Sequence, residues 1–563
     1  MTRLTDKFEE LNGQYTDPRT RRYITPKRII KTWGDVQNAE TLLNEKPPQV
    51  TMGPRDICTL TNVSGQPHAA ILLDLGVEIA GSLRIFAHLT RVNGEKGYTH
   101  LLIRLGESVG EVLTPVGQHG ATSDHATREM IMTTPSMSAN ETPETGFRFA
   151  YIELLEDAGI TSIHKAPGVL KYRDLEYKGS FESNDALLNR IWNVSAYTAH
   201  LNMQEYIWDG IKRDRLVWIG DLHPEALTIL ATFGDCDVIE KSLDFVRDTT
   251  PDGAWMNGIS TYSLWWVMIH AELFRATGNL AYLKEQKAKM VEILSRVSDC
   301  VDEDGGEKMP HWALLDWPNE TNPQAKHAGI QGMLKMTLEE GAHMLCMIGE
   351  ETLADKCMAT VEKMKNHVPD VNGSKQAAAM LALSGLGDAK KLNDEVISIG
   401  GAKKFSTFFS YYLLKAKALA GDYVGALEAL REYYGGMLNM GATTFWEDFD
   451  IEWMENSAPI DDFVPEGMND IHGDFGNYCY KNFRHSLCHG WSSGPCPYLS
   501  HYVLGVRPVS ADTYVIKPEL GDLEWAKGTY PTAKGIISVS VKKTAEGQKV
   551  EYTAPEGIKI IDK

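Results

Sequence analysis

The chain has 563 residues, 43% hydrophobic and 23% charged, which is the balance of a globular protein. That length exceeds one ordinary core, so about two to four domains are expected. A formal net charge of −20 opposes phosphate binding, disfavouring nucleic acid and anionic membranes and leaving neutral or cationic small substrates open.

The beginning, Met1 to Phe8, lacks the apolar run of a secretory leader. No window reaches the ~18 apolar residues of a membrane span. The eight cysteines are scattered and form no CxxC, so neither a zinc nor a redox motif is supported. Free thiols in a reducing cytoplasm are the expectation, with no cofactor and no metal.

In chain order, the first ~50 residues are polar and irregular and read as an arm over a neighbouring domain. Ala70–Gly76, Ile79–Phe86, Thr99–Leu105 and Phe147–Leu154 are short strand-like runs divided by Gly, Asn and Pro, and they predict a β-sandwich. Thr122–Thr142, rich in Ser, Thr and Met, reads as a long loop. The pattern changes at Phe181. Ser183 or Asn184 suits an N-cap, and Leu187, Leu188, Ile191, Trp192 and Ala196 repeat at helical spacing.

Roughly twelve helical segments follow, up to about residue 504, joined by short glycine-bearing connections such as Gly278 and Gly421. Twelve helices in hairpin pairs suggest an (α/α)6 barrel with one central cleft. After Gly505 the pattern reverts to strands, at Thr513–Pro518, Gly535–Val541 and Lys549–Thr553. The expected division is an arm and β-sandwich over 1–180, the helical barrel over 181–504 and a small β domain over 505–563.

The stretch Trp208–Asp221 concentrates Asp209, Asp214, Asp221, Lys212, Arg213 and Arg215 together with Trp208 and Trp218. A surface ion-pair network would explain the charges alone. The interleaved tryptophans favour a sugar site, where an aromatic ring stacks on the C–H face of a pyranose and carboxylates hold its hydroxyls. A partner carboxylate is expected far along the chain, and Gly441–Asp450 supplies Glu447 beside Trp446. A third cluster, Arg484–Pro495, holds His485, Cys488, His489 and Trp491. His489 reads either as a hydroxyl-binding residue or as a structural histidine. Asp316 and Trp317, and Tyr262 with Trp265 and Trp266, are further candidates for the cleft wall, although aromatic stripes at helical spacing are more often core. Neither GxGxxG nor GxxxxGK[ST] occurs.

These residues resemble the α-L-rhamnosidases of glycoside hydrolase family 78. Asp209–Asp221 reproduces a family pattern D-x-x-x-R-[DE]-R-[LM]-x-W-x-G-D, Gly441–Glu447 reproduces G-A-T-T-x-W-E, and Ser486–His489 nearly reproduces S-L-N-H. Asp74–Gly81 and Gly146–Phe149 look like the family's leading β-sandwich. The resemblance implies an (α/α)6 catalytic barrel flanked by β domains, and an inverting exo-glycosidase acting on a carbohydrate, with a homodimer as an option. It implies Asp214 as general acid and Glu447 as general base, set about 6.5–9.5 Å apart to admit a water. Asp209, Arg213, Trp218, Asp221, Trp265, Asp316, Trp317, Trp446 and His489 are implied substrate-binding residues.

Two positions depart from the pattern. The family acid is normally Glu, and Asp214 is shorter by about 1.5 Å, which brings in Glu225 as an alternative acid. Cys488 replaces an Asn, removing a donor and an acceptor. A carbohydrate-binding protein without hydrolysis, and a phosphorylase or lyase on the same toroid, are the competing readings.

Overall fold

The computed structural model describes residues 7, 15–53, 55–310 and 312–561. Between Thr20 and Tyr172, twelve strands form one hydrogen-bonded system. Its spine is the strand Ala70–Val92. The sequence divides this stretch into two strands because Gly76 and Val77 interrupt the apolar run. Gly76 takes φ 83°, and the facing strand Thr145–Leu154 shifts register between Phe147 and Phe149, so the strand kinks and continues. Its first part pairs with Arg28–Trp33 and Thr145–Leu154, its second with Gly159–Lys165 and Ser138–Glu141.

Two expectations for this region are corrected. The irregular arm contains the strands Thr20–Ile24 and Arg28–Trp33, both paired within the sheet. Arg, Lys and Thr on their exposed faces hide the alternation. Residues 1–6 and 8–14 of that arm lie outside the described residues. The supposed loop Thr122–Thr142 contains the strands Glu129–Thr134 and Ser138–Glu141. Thr and Met are compatible with strands, and the irregular parts are the segment before Glu129 and the turn 135–137.

The helical part follows its periodicity closely. Ala186–Asn202 buries Leu188, Ile191 and Trp192, each contributing about 1.5–3 kcal/mol by burial. Its N-cap is Asp185, not Ser183 or Asn184, because Asp185 Oδ1 accepts from the backbone N–H groups of Leu187 and Leu188 at 2.8 and 3.2 Å. Leu222–Thr232, Asp237–Thr249, Ser260–Thr277, Pro323–Met347, Glu351–Met364, Lys375–Leu383 and Tyr423–Asn439 lie where the sequence puts helices. The segment expected over 280–301 breaks at Gln286 into Leu280–Glu285 and Lys287–Ser298. The segment expected over 490–504 is a 3-10 turn, one α-turn and a π-turn in succession. Its glycines and prolines cannot sustain one helix. No helix among the described residues is long and apolar enough to cross a membrane.

The C-terminal strands Trp525–Thr532, Gly535–Thr544 and Gly547–Thr553 form a sheet with Ser180–Ser183, the strand that leads into the first long helix. Phe181 and Val539 belong to the same hydrophobic cluster as the helices. These strands therefore close onto the helical core rather than enclose one of their own.

Candidate active site

Backbone hydrogen bonds join three distant stretches of sequence. Gly490 N–H donates to Asp209 O at 2.8 Å, His489 N–H to Phe445 O at 3.0 Å, and Glu447 N–H to Ser486 O at 2.9 Å. Gly210 and His489 form an isolated antiparallel bridge. The Asp209–Asp221, Gly441–Asp450 and Arg484–Pro495 segments are thereby laid side by side.

Asp209 folds its own stretch. Its carboxyl accepts from the N–H groups of Asp214 and Leu216 at 3.2 and 2.9 Å, holding the turn that carries Arg213 and Asp214. Arg215 follows in the left-handed region at φ 60° and lies over the Trp208 ring, 4.6 Å from its centroid. The charges in this stretch therefore divide. Arg215 faces outward to Glu144 O, while Lys212 and Arg213 are buried.

The cleft opens to solvent and has a volume of about 100 Å³. Asp209, Arg213, Asp214, Trp218, Asp221, Glu447 and His489 line it, with Tyr262, Trp312, Trp317, Tyr480 and Trp491 as its aromatic wall. Glu447 accepts from Arg213 Nη2 at 2.8 Å on one oxygen and from the Ser486 N–H at 3.1 Å on the other. Asp214 accepts from Trp218 Nε1 at 3.1 Å. Its side chain keeps 21% of its surface exposed, whereas that of Glu447 keeps 2%.

Asp221 begins the helix Leu222–Thr232 and makes no capping bond, so its carboxyl is free to accept from the Tyr262 hydroxyl at 2.7 Å. Burial pushes Asp221 up to about 8, against the lowering effect of that hydrogen bond. Burial, with Asp221 and Asp214 adding repulsion, also holds Asp209 well above the carboxylate range. His489 Nε2 lies 3.5 to 3.8 Å from Glu447, Asp209 and Asp221. Burial, with Arg213 adding to it, keeps His489 well below its usual value and neutral. The raised Asp209 and Asp221 carboxyls and the lowered His489 imidazole offer both donors and acceptors, which suits a ligand rich in hydroxyls.

Asp209, Asp221 and His489 also place donor atoms within 4.8 Å of one another, a spacing able to hold a cation. The same holds for Glu107, Glu111 and His472, where the Lys212 and Arg128 cations already pair with the glutamates.

Residues 176–368 match the model of the bacterial α-L-rhamnosidase six-hairpin glycosidase domain. The α-L-rhamnosidase of Formosa agariphila is 30% identical over 102 residues, which are 18% of this chain and 10% of that protein. That of Alteromonas sp. is 31% identical over 124 residues, 22% of this chain and 11% of that protein. Among solved structures, the GH78 rhamnosidase of Bacillus sp. GL1 superposes with a TM-score of 0.74 at 22% identity, over 93% of this chain and 55% of that one. The Klebsiella oxytoca rhamnosidase with rhamnose bound gives 0.67 at 19% identity, over 85% of this chain and 95% of that one.

Over residues 176–368 the chain is therefore similar to the six-hairpin glycosidase domain of bacterial α-L-rhamnosidases, and its overall fold is similar to that of solved rhamnosidases. Its matched segments span about a tenth of the two curated relatives.

Two sequence candidates lie away from the cleft wall. Trp265 has no exposed surface and packs on His223, Phe408 and Tyr412, one helical turn beyond Tyr262. Only the first turn of that helix reaches the cleft. Trp446 is also fully buried, against Phe449 and His485, because consecutive residues point to opposite sides and Glu447 takes the cleft side. Asp316 lines a small adjoining recess with Trp317, Glu447 and Asp448. Burial pushes its carboxyl up to about 6, against hydrogen bonds from Asn319 and Ser406.

Glu225, the alternative acid, is buried beneath the Gly490 backbone, where any Cβ would collide with its carboxyl. It does not line the cleft. Tyr480, also on the cleft wall, lies in none of the stretches that the sequence singles out. Glu107 and His125, which come from the sheet region, carry no sequence signal that singles them out.

Proposed function

We propose that this chain is an inverting, exo-acting glycoside hydrolase that removes terminal α-L-rhamnose, or a closely related sugar, from oligosaccharides or glycosides. The catalytic part is an (α/α)6 barrel over about residues 181–504, flanked by a β-sandwich over 1–180 and a small β part over 505–563. The observation that carries the reading is that Asp214 and Glu447, from remote stretches, line one aromatic-walled cleft with Arg213 beside both.

Asp214 is the general acid. It is the more exposed of the two, and a proton donor to a leaving group must meet solvent-side aglycones. Glu447 is the general base. Its hydrogen bonds from Arg213 and the Ser486 N–H orient the carboxyl that activates water. Asp209, Asp221 and His489 hold the sugar hydroxyls, and Trp218, Trp317 and Trp491 flank the ring. Trp265, Trp446 and Asp316 support this wall from behind. The eight free cysteines fit a reducing cytoplasm.

The test is hydrolysis of an aryl α-L-rhamnoside followed by NMR. Wild type releases the β-anomer first, and Asp214→Asn and Glu447→Gln each lower turnover by about 10²–10⁴-fold without unfolding. Retained activity in both variants overturns the assignment. Rhamnose binding by calorimetry with no turnover of any glycoside would make the chain a binding protein, and phosphate-dependent turnover a phosphorylase.

A further inference from the structure

The general acid proposed above is shorter than the family's usual glutamate, and a second group stands against it. His125 Nε2 lies 3.3 Å from Asp214 Oδ1. His125 comes from the sheet region, in the irregular segment between the helix Val109–Leu113 and the strand Glu129–Thr134. The other oxygen of Asp214 is taken by Trp218 Nε1, which only donates. One carboxyl therefore meets a fixed indole on one oxygen and an imidazole, able to donate or accept, on the other.

The segment holding His125 is built rather than loose. The Asp124 N–H donates to Thr122 Oγ1 at 3.0 Å, and the Arg128 N–H to Ser123 Oγ at 3.2 Å. The Arg128 side chain is buried and paired with Glu111. His125 itself takes φ 76°, in the left-handed region that histidine enters more readily than most non-glycine residues.

Two carboxylates face the imidazole. Asp124 Oδ2 is 3.8 Å from Nε2, yet the same oxygen is engaged by Arg484 Nη2 at 3.0 Å. The nearer oxygen, Asp214 Oδ1, has Arg213 Nη1 farther off at 3.9 Å, and Trp218 bonds the other oxygen. The Asp124–Arg484 pair thus anchors the loop to the cleft rim and leaves His125 to Asp214.

The geometry points to His125 as a positioning residue for Asp214, so that the acid half of the site is completed by the sheet region. This rests on Asp214 being the general acid. With Oδ2 bonded to Trp218 and Oδ1 3.3 Å from His125 Nε2, the short carboxyl is directed toward the glycosidic oxygen instead of rotating freely about its Cβ–Cγ bond. No covalent step is added. The proton still passes from Asp214 to the leaving oxygen, and His125 fixes the group that gives it.

The test uses the full chain and a series of aryl and alkyl α-L-rhamnosides whose leaving groups range from good to poor. Help from an acid matters only where the leaving group needs a proton. Asp214→Asn, His125→Ala and His125→Gln are compared with wild type. Asp214→Asn falls steeply for poor leaving groups and little for a dinitrophenolate. His125→Ala follows the same trend, losing about tenfold or more in kcat for the poorest leaving groups with KM nearly unchanged. His125→Gln, which keeps a neutral hydrogen-bonding group, recovers part of the loss. The double variant is no worse than Asp214→Asn alone.

Uniform loss across the series in both His125 variants, or no loss, overturns the inference while Asp214→Asn still reports the acid. An Asp214→Asn variant without leaving-group dependence overturns the acid assignment and the inference with it. If His125→Ala misfolds by circular dichroism, the slope of the His125→Gln series decides: a slope between wild type and Asp214→Asn supports the role, and a wild-type slope overturns it.

Discussion

Arg213 donates from Nη2 to Glu447 Oε1 at 2.8 Å across a sequence separation of 234 residues, and both groups are buried. Its Nη1 stands 3.9 Å from Asp214, so one guanidinium addresses both carboxyls proposed for catalysis. The ring of Tyr480 supports it from the side, 5.3 Å from the guanidinium carbon. A lysine would keep the charge but not the planar fork. Arg213→Lys is therefore expected to lower kcat/KM by about 10²-fold, the loss of one charge-assisted hydrogen bond of about 2–3 kcal/mol. Steady-state kinetics on an aryl rhamnoside checks this, and wild-type kinetics would show that the bridge is dispensable.

Lys212, next in sequence, does different work. Its ammonium is buried with Glu107 Oε2 at 2.9 Å and Glu111 Oε1 at 3.1 Å, both from the sheet region, and it donates to Phe483 O and His485 O. Burial lowers it to about 8, against the opposing pull of Glu107. Lys212→Met would leave two buried glutamates with Arg128 as their remaining cation, a loss of about 3–5 kcal/mol. Chemical denaturation should show an earlier transition. Activity should fall too, because Glu107 also holds the Leu487 N–H at 2.7 Å and so orients the segment whose Ser486 N–H contacts Glu447. An unchanged denaturation midpoint would contradict this account.

The sequence was most informative where one periodicity or one local rule decides the outcome. The helical repeat at Leu188, Ile191 and Trp192 led directly to a helix with those residues inside. The clustering of charges with tryptophans at 208–221 led to the cleft, since Asp209, Arg213, Asp214, Trp218 and Asp221 all line it. Strands were less legible where polar residues mask alternation, as in Arg28–Trp33, or where a glycine kink divides one strand, as at Gly76. Side-chain direction was the other limit. Trp265 and Tyr262 share a helix, and which of them meets the cleft depends on how deeply that helix end is packed. Contacts that cross from sheet to helices, such as Lys212 with Glu107 or His125 with Asp214, were not legible, because no neighbouring residues mark Glu107 or His125 in the sequence.

Tyr262 governs the state of Asp221. Its hydroxyl supplies a hydrogen bond that opposes the upward push of burial on that carboxyl. Tyr262→Phe removes the bond and raises Asp221 further. If Asp221 holds a sugar hydroxyl, KM and the inhibition constant for rhamnose should rise about tenfold, the cost of one buried hydrogen bond of about 1–2 kcal/mol, with a smaller change in kcat. A fall in kcat at constant KM would instead place Asp221 in the chemical step.

Asp448, adjacent to Glu447, predicts how stability varies with pH. Its Oδ2 is buried without a hydrogen-bond partner, and Oδ1 accepts from the Phe449 N–H at 3.0 Å. Burial pushes it from 3.8 up to about 7, with Glu447 adding repulsion. A carboxyl with a raised native value binds more protons in the native state than in the unfolded chain between those two values. Its contribution is therefore full below about 3.8 and is lost as pH rises toward about 7. Asp448→Asn removes this titration. Thermal unfolding of wild type should lose a few degrees between pH 5 and 8 that the variant retains, so that the variant is the more stable of the two at pH 8. Parallel wild-type and variant curves across that range would show that Asp448 is not the group being titrated.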